Sequence, residues 1–75
     1  MYLRRIYDLR EDRDYTQKQV AEYLGTHPNV YRRYEKGIRS FPVEYIVRLA
    51  DFYNVSTDYL LGRTDDPTPP IKNHP

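Results

Sequence analysis

The 75-residue sequence contains neither cysteine nor tryptophan and has only three glycines. Without cysteine there is no disulfide frame and no thiolate metal cluster, so packing, helped by association with other chains, has to stabilise the fold. No apolar run approaches the ~20 residues that a membrane-spanning helix needs, and no signal-peptide pattern is visible. We therefore expect one small soluble domain, compatible with a reducing cytosol.

The residue patterns of common catalytic sites are missing as well. The sequence has no cysteine nucleophile, no glycine-rich phosphate loop and no convincing Ser–His–Asp set. Its two histidines, His27 and His74, do not have metal-ligand spacing. We expect no enzymatic activity, no cofactor and no metal.

What the sequence does contain is an uneven distribution of charge behind a net charge of +1. Residues 1–26 hold five basic and five acidic groups, and residues 43–75 hold three basic against five acidic ones. Residues 27–42 carry an excess of three positive charges, because they contain four basic residues and only one acidic residue, Glu35. This segment is either a surface that faces phosphate groups or an ordinary solvated face.

The periodicity of the apolar residues predicts five helices, an all-α fold without strands or internal repeats. The first helix runs from Tyr2 to Asp12. The second follows Thr16, which can form a capping box with Gln19. Gly25 ends it, because glycine reaches the left-handed conformation without a Cβ penalty.

The third helix begins at Pro28, since proline suits the first helical position. Its N-cap is His27 or Thr26, and it ends at Gly37. The expected buried side chains of the first three helices are Leu3, Ile6, Tyr7, Leu9, Val20, Ala21, Leu24, Tyr31 and Tyr34.

Two further helices follow a loop that ends at Pro42. The fourth covers Val43 to Tyr53 and stops at Asn54, and the fifth covers Thr57 to Leu61 behind a Ser56 cap. Residues 63–75 contain four of the six prolines among polar residues and are expected to form a flexible tail. The expected buried side chains here are Val43, Ile46, Leu49, Ala50, Tyr53, Val55 and Leu60.

Three segments, TQKQVAEYLG, YRRYEKG and LADFYNVSTDYLLG, resemble the Cro/phage-repressor type of helix-turn-helix domain, the xenobiotic-response-element (XRE) family. The resemblance covers about residues 3–62. It implies a compact five-helix, lambda-repressor-like domain over residues 1–62, with the second and third helices forming the helix-turn-helix. In that family the third helix, here about residues 28–36, reads the major groove of double-stranded DNA. Members are mostly bacterial or phage transcriptional regulators, which implies a cytoplasmic location.

The resemblance also assigns residues to the DNA. Its groove-facing positions match Pro28, Asn29, Arg32 and Arg33. Asn29 and Arg33 have the hydrogen-bonding groups that read adenine and guanine edges, and Arg32 is equally suited to holding phosphate. Gln17, at the start of the second helix, is expected to contact phosphate.

Two residues depart from the family pattern. Pro28 replaces a polar residue and offers only apolar contact, for example to a thymine methyl group. His27 replaces the usual Ser or Thr cap, and it is either a donor to phosphate or a half-buried structural histidine.

The resemblance further implies a salt bridge between Arg10 and Glu35 that directs Arg10 toward the DNA backbone. Replacing Glu35 by alanine is therefore expected to lower both stability and DNA affinity. Arg39 and Ser40 lie where family members contact the backbone, although Arg39 is equally explained as a solvated loop charge.

The nine tyrosines exceed what so small a core needs. Tyr45, Phe52 and Tyr59 fall outside the inner stripes of the last two helices and suggest an exposed aromatic contact surface. Because a two-fold dimer reads two half-sites, we expect a homodimer built through these helices.

Three classes of function remain open. The first is a sequence-specific DNA-binding regulator, most simply a repressor. The second is an antitoxin that binds DNA but chiefly neutralises a partner protein through the tail or the aromatic surface. The third is a protein-interaction module without DNA binding. The sequence does not give the operator, the sign of regulation or an inducer.

Overall fold

The computed structural model describes residues 2–69, and within that range the secondary structure consists of five α-helices without strands. The predicted all-α, five-helix fold is confirmed. The first helix begins at Arg4 rather than Tyr2, and the last ends at Leu60 rather than Leu61. The helices are α1 (Arg4–Asp12), α2 (Gln17–Leu24), α3 (Pro28–Glu35), α4 (Val43–Tyr53) and α5 (Thr57–Leu60).

The third helix ends at Glu35 rather than at Gly37, but the residues that were expected to cap α2, α4 and α5 do so. The Thr16 hydroxyl accepts the backbone N–H of Gln19 at 3.0 Å, and the Gln19 side chain accepts the N–H of Thr16 at 2.8 Å, which completes the capping box. Ser56 caps α5 through a 3.0 Å bond from the N–H of Tyr59. Asn54 ends α4 in the left-handed conformation, with φ of 55°.

The core lies where the inner faces of the five helices meet, and it includes the fully buried Tyr31 and Tyr53. Two residues predicted to be inward are exposed. Val43 is 79% exposed, and the first buried side chain of α4 is that of Ile46, one turn later. Tyr7 is 37% exposed and donates to Glu11 on the surface of α1.

Three arginines connect the helices through the carbonyl groups at helix C-termini, which have no partner in their own helix. Arg48 of α4 donates to the carbonyl oxygens of Leu24 and Tyr23 at 3.0 and 2.6 Å. The other two are Arg13, which donates to Tyr53 of α4 at 3.4 Å, and Arg5, which donates to Tyr59 of α5 at 3.0 Å. The negative end of each helix dipole favours these cationic donors.

The chain after α5 folds back onto the domain. Arg5 donates to the carbonyl of Thr64 and pairs with Asp65, while the N–H of Ser56 donates to the carbonyl of Pro67 at 3.1 Å. The flexible tail predicted for residues 63–75 thus includes a segment, 63–69, that makes defined contacts. Residues 70–75, with His74, lie outside the described part of the chain.

We predict that Arg48→Ala destabilises the protein by about 1–2 kcal/mol, because two carbonyl groups at the end of α2 lose a charged donor. For a domain of this size, each 1 kcal/mol lowers the melting temperature by about 4–8 °C. Thermal unfolding followed by circular dichroism measures the change. Arg63→Ala is the control, since Arg63 is 74% exposed in its pair with Asp58. Equal melting temperatures for the two variants would contradict the prediction.

Candidate nucleic-acid interface

The turn between α2 and α3 sets the angle of the interface. Gly25 adopts a φ of 74°, and the N–H groups of Gly25 and Thr26 donate back to the carbonyls of Glu22 and Ala21 at 3.1 and 3.0 Å. The completely buried Ala21 leaves room for close packing of α3, which contributes the buried Tyr31 to the core. The opposite side of α3 therefore faces solvent.

This outer side of α3 presents one polar and three basic side chains. Asn29, Arg32, Arg33 and Lys36 follow helical spacing and are all exposed. Within residues 2–69, the side chains of Arg32, Arg33 and Lys36 have neither a hydrogen-bond nor an ion-pair partner. The positive potential of this surface, which we call the α3 outer face, is therefore not neutralised by the protein.

Other predicted contact residues lie at the two ends of this face. Pro28 is half-buried at the start of α3, while Arg39 is exposed in the following loop, 5.9 Å from the centre of the Tyr34 ring. Ser40 is exposed too, and it lines an apolar groove described below.

A buried ion pair lies behind the interface. The Nε and Nη2 atoms of Arg10 donate to the two carboxylate oxygens of Glu35, each at 2.9 Å, and the two residues are only 7% and 3% exposed. The pair implied by the resemblance is thus present as a bidentate interaction.

Gln17 also contacts Glu35, and no spacing rule in the sequence predicts that contact. Its Nε2 donates to Oε1 of Glu35 at 3.2 Å. Arg10 in turn donates through Nη1 to the carbonyl of Tyr15, just before α2, at 2.9 Å. Glu35 therefore connects α3 to both α1 and the first turn of α2.

The ionised form of Glu35 is stabilised by these donors. Burial alone would raise the pKa of its carboxyl group, but the hydrogen bonds and charge of Arg10, with smaller contributions from the nearby Tyr31 and Gln17, outweigh burial and hold the pKa below its ordinary value of 4.5. The same contact raises the pKa of Arg10. Glu35 therefore carries its charge at neutral pH.

The N-termini of α2 and α3 differ in their free donors. In α2, the N–H groups of Gln17 and Lys18 have no acceptor within the described residues, so this end can bind an anion. In α3, Pro28 has no N–H, and the next three N–H groups all donate to His27. Sequence patterns alone did not reveal this difference.

His27 is the N-cap of α3, and its Nδ1 accepts the N–H of Asn29 at 3.1 Å. The alternative of a half-buried structural histidine is wrong about burial, because His27 is exposed, but its capping bond does give it a structural role. Its position in the turn, before the helix packs on the core, accounts for that exposure.

The aromatic residues predicted to form an exposed contact surface are instead half-buried. Phe52 packs between Tyr15 and Tyr23, with ring centroids 5.0 and 4.4 Å away, and Tyr45 packs edge-on against Tyr34. Tyr59 stacks under the Arg5 guanidinium at 4.2 Å. These rings extend the core outward because tyrosine and phenylalanine are large enough to span from a helix flank to a neighbouring element.

A different apolar surface is exposed on α4 and at the end of α5. Val43, Val47 and Leu61 are 79%, 46% and 39% exposed, and they line a groove of about 300 Å³. Leu3, Phe41 and Ile46 form its inner wall. We call this feature the α4–α5 groove; sequence reasoning missed it because Val43 was assigned to the core.

Over the described residues 2–69, no group of three or more metal-binding side chains occurs, and no helix is long and apolar enough to cross a membrane.

We predict that Glu35→Ala destabilises the protein by about 3–5 kcal/mol, because it leaves the Arg10 charge buried without its partner. Chemical denaturation measures the loss, and Glu35→Gln, which keeps an acceptor oxygen, should lose less. Glu11→Ala is the matched control, since Glu11 also pairs with Arg10, at 3.3 Å, but is 53% exposed. Similar stabilities for Glu35→Ala and Glu11→Ala would contradict the prediction.

Comparison with curated proteins gives several relatives. The chain is 40% identical over 72 residues to the HTH-type transcriptional regulator YobD of Bacillus subtilis (strain 168), which covers 96% of this chain and 64% of that protein. It is 44% identical over 65 residues to the cryptic phage CTXphi transcriptional repressor RstR of Vibrio cholerae, covering 87% and 59%. It is 39% identical over 62 residues to the HTH-type transcriptional regulator ImmR of Bacillus subtilis (strain 168), covering 83% and 49%.

The chain therefore spans about half to two thirds of the length of these relatives. No solved structure matches it significantly. A family model described as "Helix-turn-helix" matches residues 6–60, which include the turn at Gly25 and all but the first two residues of the helices. Together, the fold, the α2–α3 turn and these matches show that the chain belongs to the helix-turn-helix family of the Cro/phage-repressor (XRE) type.

Proposed function

We propose that this chain is a sequence-specific, DNA-binding transcriptional repressor that inserts α3 into the major groove. The observation that carries the proposal is the α3 outer face, where three exposed basic side chains have no partner within the described residues. Family membership supports it, and one relative is named a transcriptional repressor. The relatives are named as regulators, so the antitoxin alternative is not supported.

Base reading belongs to the first turns of α3 in this proposal. Asn29 and Arg33 lie four residues apart on the exposed face, where an amide can pair with adenine and a guanidinium with guanine. Pro28 precedes them and contributes apolar contact. Arg32, on the same face, holds phosphate.

Phosphate binding belongs chiefly to the N-terminus of α2. Its two free N–H groups and the Gln17 side chain lie beside Arg10, and Glu35 holds both side chains in place. We expect Glu35→Ala to weaken DNA binding for that reason. Arg39, Ser40 and the Nε2 atom of His27 complete the proposed backbone contacts, and the proposal places the protein in the bacterial cytoplasm, where the DNA is.

Selection of bound sequences from a random duplex pool tests this assignment. We predict that Asn29→Ala and Arg33→Ala each relax base preference at one position, at a cost of about 1–3 kcal/mol of discrimination. Arg39→Ala is the control, and it should lower affinity uniformly and reduce its salt dependence. A uniform loss of affinity in all three variants would reject Asn29 and Arg33 as base readers.

A homodimer is the second part of the proposal, and the α4–α5 groove replaces the aromatic residues as its contact surface. The groove is apolar and flanked by Val43 and Val47, which a single chain leaves exposed to solvent. Its position on α4 and α5 leaves the α3 outer face free. A two-fold pair would therefore present two reading helices to two half-sites.

We predict that Val47→Glu abolishes dimer formation, because it places a charge in an apolar contact, while the melting temperature of the monomer changes little at this exposed position. Sedimentation on operator DNA measures the stoichiometry. Glu22→Lys, an exposed charge change on α2, is the control and should leave the dimer intact. A wild-type protein that stays monomeric on a full operator would refute the dimer.

A further inference from the structure

We propose that His27 is a positioning residue for base recognition, acting as a neutral imidazole that fixes the backbone from which Asn29 reads DNA. The inference rests on the proposed reading role of Asn29. It goes beyond that role because it assigns a tautomer and a function to a residue that makes no base contact itself.

The hydrogen bonds at the start of α3 lead to this conclusion. Pro28 brings no donor, and the N–H groups of Val30 and Tyr31 both donate to the carbonyl oxygen of His27 at 3.0 Å. The remaining N–H group, that of Asn29, donates to Nδ1 of His27 at 3.1 Å. Every backbone donor in the first turn of the reading helix is therefore held by one residue.

This bond determines where the imidazole proton lies. Nδ1 accepts a hydrogen bond, so it carries a lone pair, and in the neutral ring the proton is on Nε2. A protonated ring would present N–H groups at both positions and could not cap the helix. A positive charge would also oppose the helix dipole at this end.

The consequence for recognition concerns Asn29. Its amide side chain is short and exposed, so its reach toward a base edge follows the placement of its own backbone. Arg33 lies a full turn further along, where the hydrogen bonds of the helix interior fix the backbone. Loss of the cap should therefore disturb reading by Asn29 more than reading by Arg33.

The first measurement uses the free protein. Nitrogen–proton correlation spectra of the imidazole rings report which nitrogen carries the proton, and comparison with His27→Ser assigns the His27 signals. We expect the Nε2–H tautomer. An Nδ1–H tautomer in the folded protein would overturn the proposal without involving DNA.

The second measurement is sequence selection with three variants of His27. A bidentate contact gives about 5- to 140-fold discrimination between bases. His27→Ala should reduce this discrimination toward no preference at the base that Asn29 reads. Discrimination at the Arg33 position should be retained. His27→Ser and His27→Asn, which restore an N-cap acceptor, should restore discrimination at the Asn29 position.

Thr16→Ala is the matched control, because it removes the N-cap of the neighbouring helix α2 and leaves α3 untouched. It should weaken binding without changing base preference. Three outcomes would overturn the inference on His27 but not the proposed function. They are unchanged preference in His27→Ala, an equal loss at both positions, and no rescue by His27→Ser. Unchanged preference in Asn29→Ala would overturn the proposed reading role together with it.

Discussion

The set of hydrogen bonds to the buried carboxylate of Glu35 is the interaction on which the arrangement of α3 and the start of α2 depends. Two side chains from different elements, Arg10 and Gln17, donate to its oxygens, so one charge fixes the positions of α1, α2 and α3 relative to each other. Such a buried charge is tolerated because its lone pairs are occupied by charged or amide donors. The fold thus uses an ion pair for orientation, whereas apolar packing around Tyr31 and Tyr53 holds the helices together.

Basic residues in this chain serve two separate purposes. Arg5, Arg10, Arg13 and Arg48 donate to carbonyl or carboxylate oxygens within the domain. The α3 outer face keeps its basic side chains unpaired within the described residues. A net charge of +1 coexists with the positive α3 outer face because, apart from Glu35, the acidic residues that balance the basic ones lie outside residues 27–42.

Local signals made the fold predictable from the sequence. Thr16, Gly25, Ser56 and Asn54 act through neighbouring backbone groups, so their capping roles follow from residue type and spacing. The candidate site was less predictable: the link between Gln17 and Glu35 spans two helices, and periodicity assigns faces but not partners. The burial of Val43, Tyr45 and Phe52 was predicted wrongly for the same reason, since it depends on which elements pack against α4 at each end.

The N–H groups at the N-terminus of α3 all donate to His27, and this has a consequence for how binding specificity can change. Because the backbone donors of its first turn all bind His27, this helix would meet the groove of the proposed complex through side chains only. In that complex, anchoring by main-chain groups would be left to α2, whose free N–H groups suit phosphate of any sequence. Residues on the outside of α3 can therefore be exchanged without loss of the anchor. For this chain, the proposed division would let a few substitutions on α3 change the operator while the scaffold and its attachment to the DNA backbone stay the same.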